Sequence, residues 1–215
     1  MASTQKIEIL HDEEPVRLFD SDFLEFFTHI HPAVVLMLWV PVVLVFLYVA
    51  IRDAATRDGG GLASILMGFL LGLFLWTLTE YLLHRFVFHF HARAPWQERL
   101  SFLFHGVHHL QPQAKTRLVM PPAVSIPLAL LFFGAFYLVL AVSLGIPEWV
   151  APTFAGFITG YLCYDMLHYA THHIPMRQGL WKALKRHHMR HHYKSPDLRY
   201  GVSSPLWDVV FGTQG

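Results

Sequence analysis

Length, composition and charge narrow the class of protein. Of the 215 residues, 54% are hydrophobic and only 14% are charged, whereas a soluble domain carries about 25% charged residues. The shortage of charge points to a non-aqueous surface. The formal net charge of +1 excludes a nucleic-acid-binding protein that depends on an overall basic surface. The single cysteine, Cys163, excludes an intramolecular disulfide.

The N-terminal residues 1–31 are polar and acidic and form a predicted interfacial segment. Within them, 18–30 alternates apolar and acidic residues, which is typical of a segment lying along a membrane surface and equally of a solvated amphipathic segment. No basic region precedes an early apolar run, so no cleavable signal peptide is predicted.

Four apolar segments follow, and each comes close to the roughly 20 residues that a membrane-spanning helix needs. We predict an all-α integral membrane protein with four transmembrane helices, and a soluble all-helical core is the alternative. Short turns at 52–61 and 145–148 would link the helices as two hairpins. The predicted spans lie near 32–51, 62–83, 119–144 and 149–167.

Basic residues predict the orientation of these spans. Only Arg52 and Arg57 lie in the short turns. All other lysines and arginines lie in the N-terminal segment, in 84–118 or in the C-terminal tail. With four spans, these three regions lie on the same side of the membrane. By the positive-inside tendency that side is cytoplasmic. We therefore predict a single domain, 1–215, in which regions 84–118 and 168–215 form a cytoplasmic, histidine-rich helical cap.

Small residues four apart occur in the second and fourth predicted helices. Gly68 and Gly72 form one pair, and Gly156 and Gly160 form the other. Such pairs let transmembrane helices approach closely, so they predict helix pairing but indicate no activity.

The 16 histidines are as numerous as all lysines and arginines together. Thirteen of them fall within 84–109 and 168–192, which begin where the second and fourth predicted spans end. The topology would bring both windows to one membrane face. Imidazole suits iron, zinc, copper and nickel. One ion takes about four to six ligands, so ten or more clustered histidines predict at least a dinuclear metal site.

Spacing within the windows is typical of metal ligands. His84 and His89 are five residues apart, which fits one face of an α-helix poorly, so a helix end or a local widening is predicted there. Elsewhere, spacings of three and four put side chains on one helical face, which predicts convergence of His168 with His172, and of His188 with His191 and His192.

Two carboxylates lie one helical turn before these ligands. Glu80 is four residues before His84, and Asp165 is three before His168. Each is predicted to accept the second imidazole N–H and to fix the orientation of the ring. For Glu80, a carboxylate in the lipid headgroup region is the alternative.

These motifs resemble the fatty acid hydroxylase superfamily, and most of all its fatty acid (sphingolipid) 2-hydroxylases. The matching stretches are EYLLHRFVFH at 80–89, HGVHH at 105–109, RLVMPP at 117–122, YDMLHYATHH at 164–173, LKRHHMRHHY at 184–193 and GVSSPLWDVVFGT at 201–213. The metal-ligand pattern of the family falls on His84, His89, His105, His108, His109, His168, His172, His188, His191 and His192, with His173 and His187 as second choices.

The resemblance implies a non-haem di-iron monooxygenase that uses O2 and hydroxylates C2 of a fatty acyl chain, with a ceramide or another sphingolipid as substrate. Zinc is expected to compete for the same ligands in a purified sample, because Fe(II) binds more weakly than Zn(II). Many members carry a cytochrome b5 domain, and this sequence has no haem-binding His-Pro-Gly-Gly. We therefore expect an external electron donor such as cytochrome b5 with its reductase.

Tyr81, Tyr164 and Tyr169 would lie near the metals, and a substrate groove lined by them is one hypothesis. An interfacial aromatic belt is the other. The expected location is the endoplasmic reticulum for a eukaryotic chain and the inner membrane for a bacterial one.

Other functions remain open on the sequence. A desaturase, or an oxidase of sterols or other lipids, would use the same metal centre. A metal transporter would need ionisable residues midway through its spans, and these spans are apolar there. A zinc-dependent membrane hydrolase would need only three protein ligands on an open metal. The last two alternatives are the more remote.

Overall fold

The computed structural model describes residues 9–10, 14–56 and 61–215. All regular structure in these residues is helical, which confirms the predicted all-α class. Arg57, one of the two basic residues in the predicted 52–61 turn, lies outside the described residues.

Helices follow one another along the whole described chain, and three of them are π-helical. In chain order they are α1 (Asp22–Phe26), α2 (Pro32–Thr56), α3 (Gly61–Leu82), π1 (Leu83–Phe88), α4 (Pro95–Ser101), π2 (Phe102–Gly106), α5 (Val107–Leu110), α6 (Pro122–Phe136), π3 (Tyr137–Ser143), a 3₁₀ turn (Pro147–Trp149), α7 (Val150–His173), α8 (Gly179–Tyr193) and α9 (Leu206–Val210).

Three helices among the described residues are long and apolar enough to cross a membrane. They are α2, α3 continued by π1 to Phe88, and α6 continued by π3 to Ser143. Their surfaces expose large apolar side chains, such as Met37 at 68% and Leu62 at 79%. Water would penalise such a surface, so these helices indicate a membrane protein.

The fourth predicted span, 149–167, lies in α7 except for Trp149, which ends the 3₁₀ turn, but α7 is not among those three helices. Instead of being apolar all along, α7 carries polar side chains such as Thr153 and Asp165, and most of its residues are buried. A helix enclosed by protein can carry polar residues that a lipid-facing helix cannot. Its position across the membrane stays a prediction.

Residue contacts divide the chain into two compact units. The apolar unit comprises His31–Glu80 and Met120–Met166. The histidine unit comprises Met1–Ile30, Tyr81–Val119 and Leu167–Gly215. Segments far apart in sequence meet in each unit, and all ten predicted metal ligands belong to the histidine unit.

Close helix packing holds the apolar unit together. A Cβ atom on Gly72 would lie 2.0 Å from the Thr153 carbonyl oxygen, and one on Gly156 would lie 2.0 Å from the Phe69 carbonyl oxygen. Only glycine lets α3 and α7 approach to this distance. The expectation that the paired glycines mark close helix packing is therefore confirmed at both pairs.

In the histidine unit, the N-terminal residues are tied to the segment that follows α5. Gln111 is almost fully buried; its side chain accepts a hydrogen bond from the Val16 amide (2.7 Å) and donates one to the Glu14 carbonyl (2.9 Å). Glu25 pairs with Arg117, whose side chain is 3% exposed. The short α1 exposes Phe23 and Phe26, whose burial in a membrane surface stays a prediction.

Candidate metal centre

The ten predicted metal ligands come together as two groups of five. In each group, one ring nitrogen from every histidine lies within 4.8 Å of those of all the others. Both groups are buried, apart from the half-buried His89. Site 1 is made of His84, His89, His105, His109 and His191, and site 2 of His108, His168, His172, His188 and His192.

Helix π1 explains how His84 and His89 reach the same site. The His89 amide donates to the His84 carbonyl oxygen at 3.1 Å, which closes an i→i+5 turn. A π-helix brings residues five apart into register, and π segments are common at functional sites. The predicted local widening of the helix is confirmed here.

Two pairs of adjacent histidines, His108–His109 and His191–His192, each contribute one ligand to site 1 and one to site 2. His108 and His192 belong to site 2, whereas their neighbours His109 and His191 belong to site 1. Consecutive residues on an α-helix point about 100° apart, so each pair faces both sites. The rings of His109 and His192 stack with their centroids 4.2 Å apart. The predicted convergence of His188 with both His191 and His192 is wrong for His191.

Short contacts between nitrogens show how closely the rings converge in site 1. His84 Nε2 lies 3.0 Å from His105 Nε2, and His191 Nε2 lies 3.1 Å from the Nε2 atoms of His89 and His109. Two nitrogens that each lie about 2.05 Å from one ion, at about 90° to each other, are about 2.9 Å apart. The arrangement therefore fits an ion at its centre.

Site 2 has the same short contacts. His108 Nε2 is 2.9 Å from His168 Nε2 and 3.0 Å from His192 Nε2. His188 Nε2 is 2.9 Å from His172 Nε2 and 3.1 Å from His192 Nε2. Both sites could hold a metal ion with imidazole nitrogen as the only ligand type, a donor set suited to iron, zinc and copper.

Backbone carbonyls orient three of the ligands. His84 Nδ1–H donates to the Tyr200 carbonyl at 2.5 Å, and His191 Nδ1–H donates to the Leu198 carbonyl at 2.7 Å, both in site 1. In site 2, His168 Nδ1–H donates to the Leu118 carbonyl at 3.1 Å. A carbonyl can only accept, so Nδ1 carries the proton and Nε2 keeps its lone pair for a metal.

These bonds correct the predicted partners of two ligands. Glu80 and Asp165 were predicted to accept the second N–H of His84 and His168, but carbonyl oxygens accept both. Asp165 accepts hydrogen bonds from the Met120 amide and the Tyr161 hydroxyl instead. The Nδ1–H of each ligand is donated to a main-chain carbonyl, so it is not left for a carboxylate, and any other supporting role of Glu80 and Asp165 stays a prediction.

Burial keeps the site histidines neutral. Desolvation, followed by the neighbouring imidazoles, lowers the pKa of His105, His109, His188 and His192 well below 6.5. The same burial lowers the pKa of His191. Neutral imidazole is the form that binds a metal.

The metal-free protein is therefore expected to lose stability as the pH falls below about 6.5. An unfolded chain takes up protons on these histidines near 6.5 whereas the folded chain does not, so acid favours unfolding by up to about 1.4 kcal/mol per pH unit for each histidine. Thermal unfolding of chelator-treated protein in detergent between pH 7.5 and 5.5 measures this. His91→Gln, at an exposed position, should leave the slope unchanged. An unfolding temperature independent of pH would contradict this account.

The second-choice ligands lie outside both sites. His187 Nε2–H donates to Asp208 at 2.9 Å, and the ring of His173 packs on Tyr169 with centroids 4.7 Å apart. Of the other two tyrosines, Tyr81 is buried with its hydroxyl 3.0 Å from Thr213 Oγ1, and Tyr164 is buried against Trp76. Substrate contact by these tyrosines stays a prediction.

Sequence reasoning missed the residues that orient the ligands. The carbonyls of Leu118, Leu198 and Tyr200 leave no signal in a sequence, because every residue has a carbonyl. Asp208 did leave one: it is an acid inside the apolar run LWDVV, and it is completely buried. A buried acid in such a run indicates a paired or fully hydrogen-bonded carboxylate.

Comparison with known proteins identifies the family. The family model described as "Fatty acid hydroxylase" matches residues 69–213. The dihydroceramide fatty acyl 2-hydroxylase FAH1 of Arabidopsis thaliana is 36% identical over 94% of this chain and 81% of its own length. The fatty acid 2-hydroxylase of Homo sapiens is 37% identical over 93% of this chain and 56% of its own length.

A further relative and a solved structure agree with this family. The ceramide very long chain fatty acid hydroxylase SCS7 of Saccharomyces cerevisiae is 40% identical over 89% of this chain and 48% of its own length. A solved structure of full-length scs7p, with only its hydroxylase domain visible, superimposes with a TM-score of 0.79 and 38% identity. The match covers 89% of this chain and 69% of that chain. Both the sequence and the fold thus place this chain in the fatty acid hydroxylase family.

Proposed function

We propose that this chain is a membrane-bound di-iron monooxygenase that inserts one oxygen atom from O2 at C2 of a fatty acyl chain, with a ceramide-type lipid as substrate. The observation that carries the proposal is the pair of buried five-imidazole sites, built from two shared histidine pairs. Relatives that are 36–40% identical and are named as ceramide or fatty acid 2-hydroxylases support the reaction and the substrate class.

The donor set fits two iron ions. When bound, iron supplies the redox chemistry that cleavage of an unactivated C–H bond needs, and zinc has no such chemistry. Zinc nevertheless binds imidazole more tightly than Fe(II) does. We therefore expect zinc in the same two sites when the protein is purified without added iron.

The histidines themselves have three tasks in this proposal. Burial keeps them neutral, so that ten nitrogens can bind metal without a competing proton. The five imidazole nitrogens of each site would hold one ion. The stacked His109 and His192 come from adjacent-histidine pairs that each serve both sites, so α5 and α8 hold the two sites at a fixed spacing.

We further propose a single domain, 1–215, with four membrane spans near 32–51, 62–83, 119–144 and 149–167. The basic residues of the sequence support a cytoplasmic location for the metal centre. Exposed Phe23 and Phe26 support the proposed interfacial role of the N-terminal segment. The membrane is the endoplasmic reticulum if the chain is eukaryotic and the inner membrane if it is bacterial.

Two further partners follow from the chemistry. Insertion of one oxygen atom from O2 forms water from the other atom, and this consumes two protons and two electrons. A one-electron donor such as cytochrome b5 with its reductase would supply the electrons. Tyr164 and Tyr169 are the proposed contacts of the lipid, together with Tyr81.

Lipid mass spectrometry tests the proposal. Cells that supply a ceramide pool and a cytochrome b5-type reductant are expected to gain lipids 16 mass units heavier, with the hydroxyl placed at C2 by fragmentation. The double variant His188→Ala, His192→Ala should form none, because it removes two site 2 ligands. A lipid 2 units lighter would instead identify a desaturase. No product from a folded, iron-loaded protein would contradict the proposed reaction.

A further inference from the structure

The orientation of the site 1 ligands depends on a short segment near the C-terminus. The carbonyls of Leu198 and Tyr200, two residues apart, accept the Nδ1–H groups of His191 and His84. These two ligands come from α8 and π1, and they are more than 100 residues apart in sequence. The backbone of three consecutive residues, Leu198 to Tyr200, thus orients two ligands from different helices.

Site 2 lacks a comparable support. Among the described residues, the buried Nδ1 atoms of His108, His172, His188 and His192 have no hydrogen-bond partner. Only His168 is oriented by a carbonyl, that of Leu118. The support from the C-terminal segment therefore belongs to site 1 alone.

The residue between the two carbonyls has an unusual conformation. Arg199 has a φ of +65°, in the left-handed region that residues other than glycine rarely adopt. Surrounding contacts hold it there: its amide donates to the Thr213 carbonyl at 2.8 Å, and its guanidinium Nη2 donates to the Gly215 carbonyl at 3.2 Å. Such strain persists only where the surroundings determine it, and it is often found at functional sites.

Asp208 holds this segment in place through hydrogen bonds to its backbone. Its carboxylate is completely buried and accepts the amide N–H groups of Tyr200 (2.9 Å) and Gly201 (2.8 Å). It also accepts the Thr213 hydroxyl (2.7 Å) and His187 Nε2–H (2.9 Å). Four donors satisfy one carboxylate, and the Gly201 amide that it accepts lies in the same planar peptide unit as the Tyr200 carbonyl that orients His84.

Gly201 is required by the same arrangement. A Cβ atom there would lie 2.1 Å from the Ser204 carbonyl oxygen and 3.0 Å from Asp208 Oδ2. Any larger residue would push the loop away from the carboxylate. The absence of a side chain at 201 lets Asp208 approach two consecutive amides.

We propose that Leu198–Gly201, held by Asp208 and by the left-handed turn at Arg199, is a positioning device that sets the geometry and metal retention of site 1 and not of site 2. The inference rests on the proposed metal binding. Asp208 and Arg199 touch no metal ligand's Nε2 atom; they act through the backbone carbonyls. Loss of such outer partners weakens metal binding by about 10–100-fold.

The test measures release of zinc to a chelating dye from protein that has one site removed. His188→Ala, His192→Ala leaves site 1 intact, and His89→Ala, His105→Ala leaves site 2 intact. In the protein that retains site 1, Asp208→Asn is expected to speed zinc release by about 10–100-fold. In the protein that retains site 2, the same substitution should leave the release rate unchanged.

A matched pair at Arg199 covers the case in which Asp208→Asn does not fold. Arg199→Gly and Arg199→Val both remove the guanidinium, but only glycine accepts a φ of +65°. We expect zinc release from site 1 to be fast in Arg199→Val and close to that of the unsubstituted protein in Arg199→Gly. Equal release from both variants would overturn the role of the left-handed turn.

The outcomes separate this inference from the proposed function. Equal acceleration at both sites by Asp208→Asn would show general destabilisation and overturn the positioning role. Failure of both single-site proteins to bind zinc at all, although folded by circular dichroism, would overturn the metal centre itself. Faster release from site 1 alone supports the positioning device.

Discussion

Removing two ligands from either site is expected to remove one metal ion per chain and to abolish hydroxylation. His89→Ala, His105→Ala affects site 1 only, and His188→Ala, His192→Ala affects site 2 only. Three remaining imidazoles hold an ion much less tightly than five, whereas the other site keeps all of its ligands. Elemental analysis after dialysis against a weak chelator should find about two ions in the parent and one in each variant.

The matched control for these variants is His91→Ala. His91 lies in the same histidine-rich window but is exposed and belongs to neither site. It should retain both ions and full activity. A loss of both ions from either double variant, with helicity retained, would contradict two separate five-ligand sites. Retention of both ions would contradict the ligand assignment.

Adding one methyl group to a helix-packing glycine is expected to destabilise the protein strongly. Gly72→Ala and Gly156→Ala would each place a Cβ atom 2.0 Å from a backbone carbonyl oxygen of the facing helix. Backbone cannot move aside as a flexible side chain can, so we expect a loss of about 3 kcal/mol, at the upper end of the usual cost of overpacking. Retention of monomeric protein after heating in detergent, followed by size-exclusion chromatography, measures the loss.

Gly134→Ala provides the control for this substitution. Gly134 also lies in an apolar helix, α6, but a Cβ atom there would meet nothing within 4 Å. Alanine favours a helix by up to about 1 kcal/mol over glycine, so the variant should be as stable as the parent or slightly more stable. If Gly72→Ala behaved like Gly134→Ala, the close approach of α3 and α7 would be wrong.

The sequence predicted the helical class because that class depends on local patterns, whereas the ten histidines of the cluster were assigned through the resemblance to the family. Apolar length is a direct signal of a membrane helix, and the described residues contain three such helices. The spacing of His84 and His89 even predicted a local change of helix type, because five residues do not fit a 3.6-residue turn.

The division of the histidines between two sites could not be read from the same patterns. His191 is three residues from His188 and would share its face on a regular helix, yet it turns to site 1. The orientation of the His191 ring goes with its contacts to the Leu198 carbonyl, His89 and His109, which come from elsewhere in the chain. Contacts of that kind become visible only when the fold is known.

The acceptors of the His84 and His168 Nδ1–H groups also differ from those that the sequence predicted. The carboxylates of Glu80 and Asp165 were predicted because a sequence shows which side chains can accept a hydrogen bond. It does not show which main-chain carbonyl lies near a ligand. The acceptors used are main-chain carbonyls, and Asp208 acts one step further out by holding the chain that carries two of them.

Anomalous X-ray diffraction at the iron edge, from crystals of iron-loaded protein, tests the central claim most directly. We expect two peaks per chain, one among the Nε2 atoms of site 1 and one among those of site 2. A single peak, or a peak beside His173 or His187, would contradict the two five-histidine sites on which the proposed function depends.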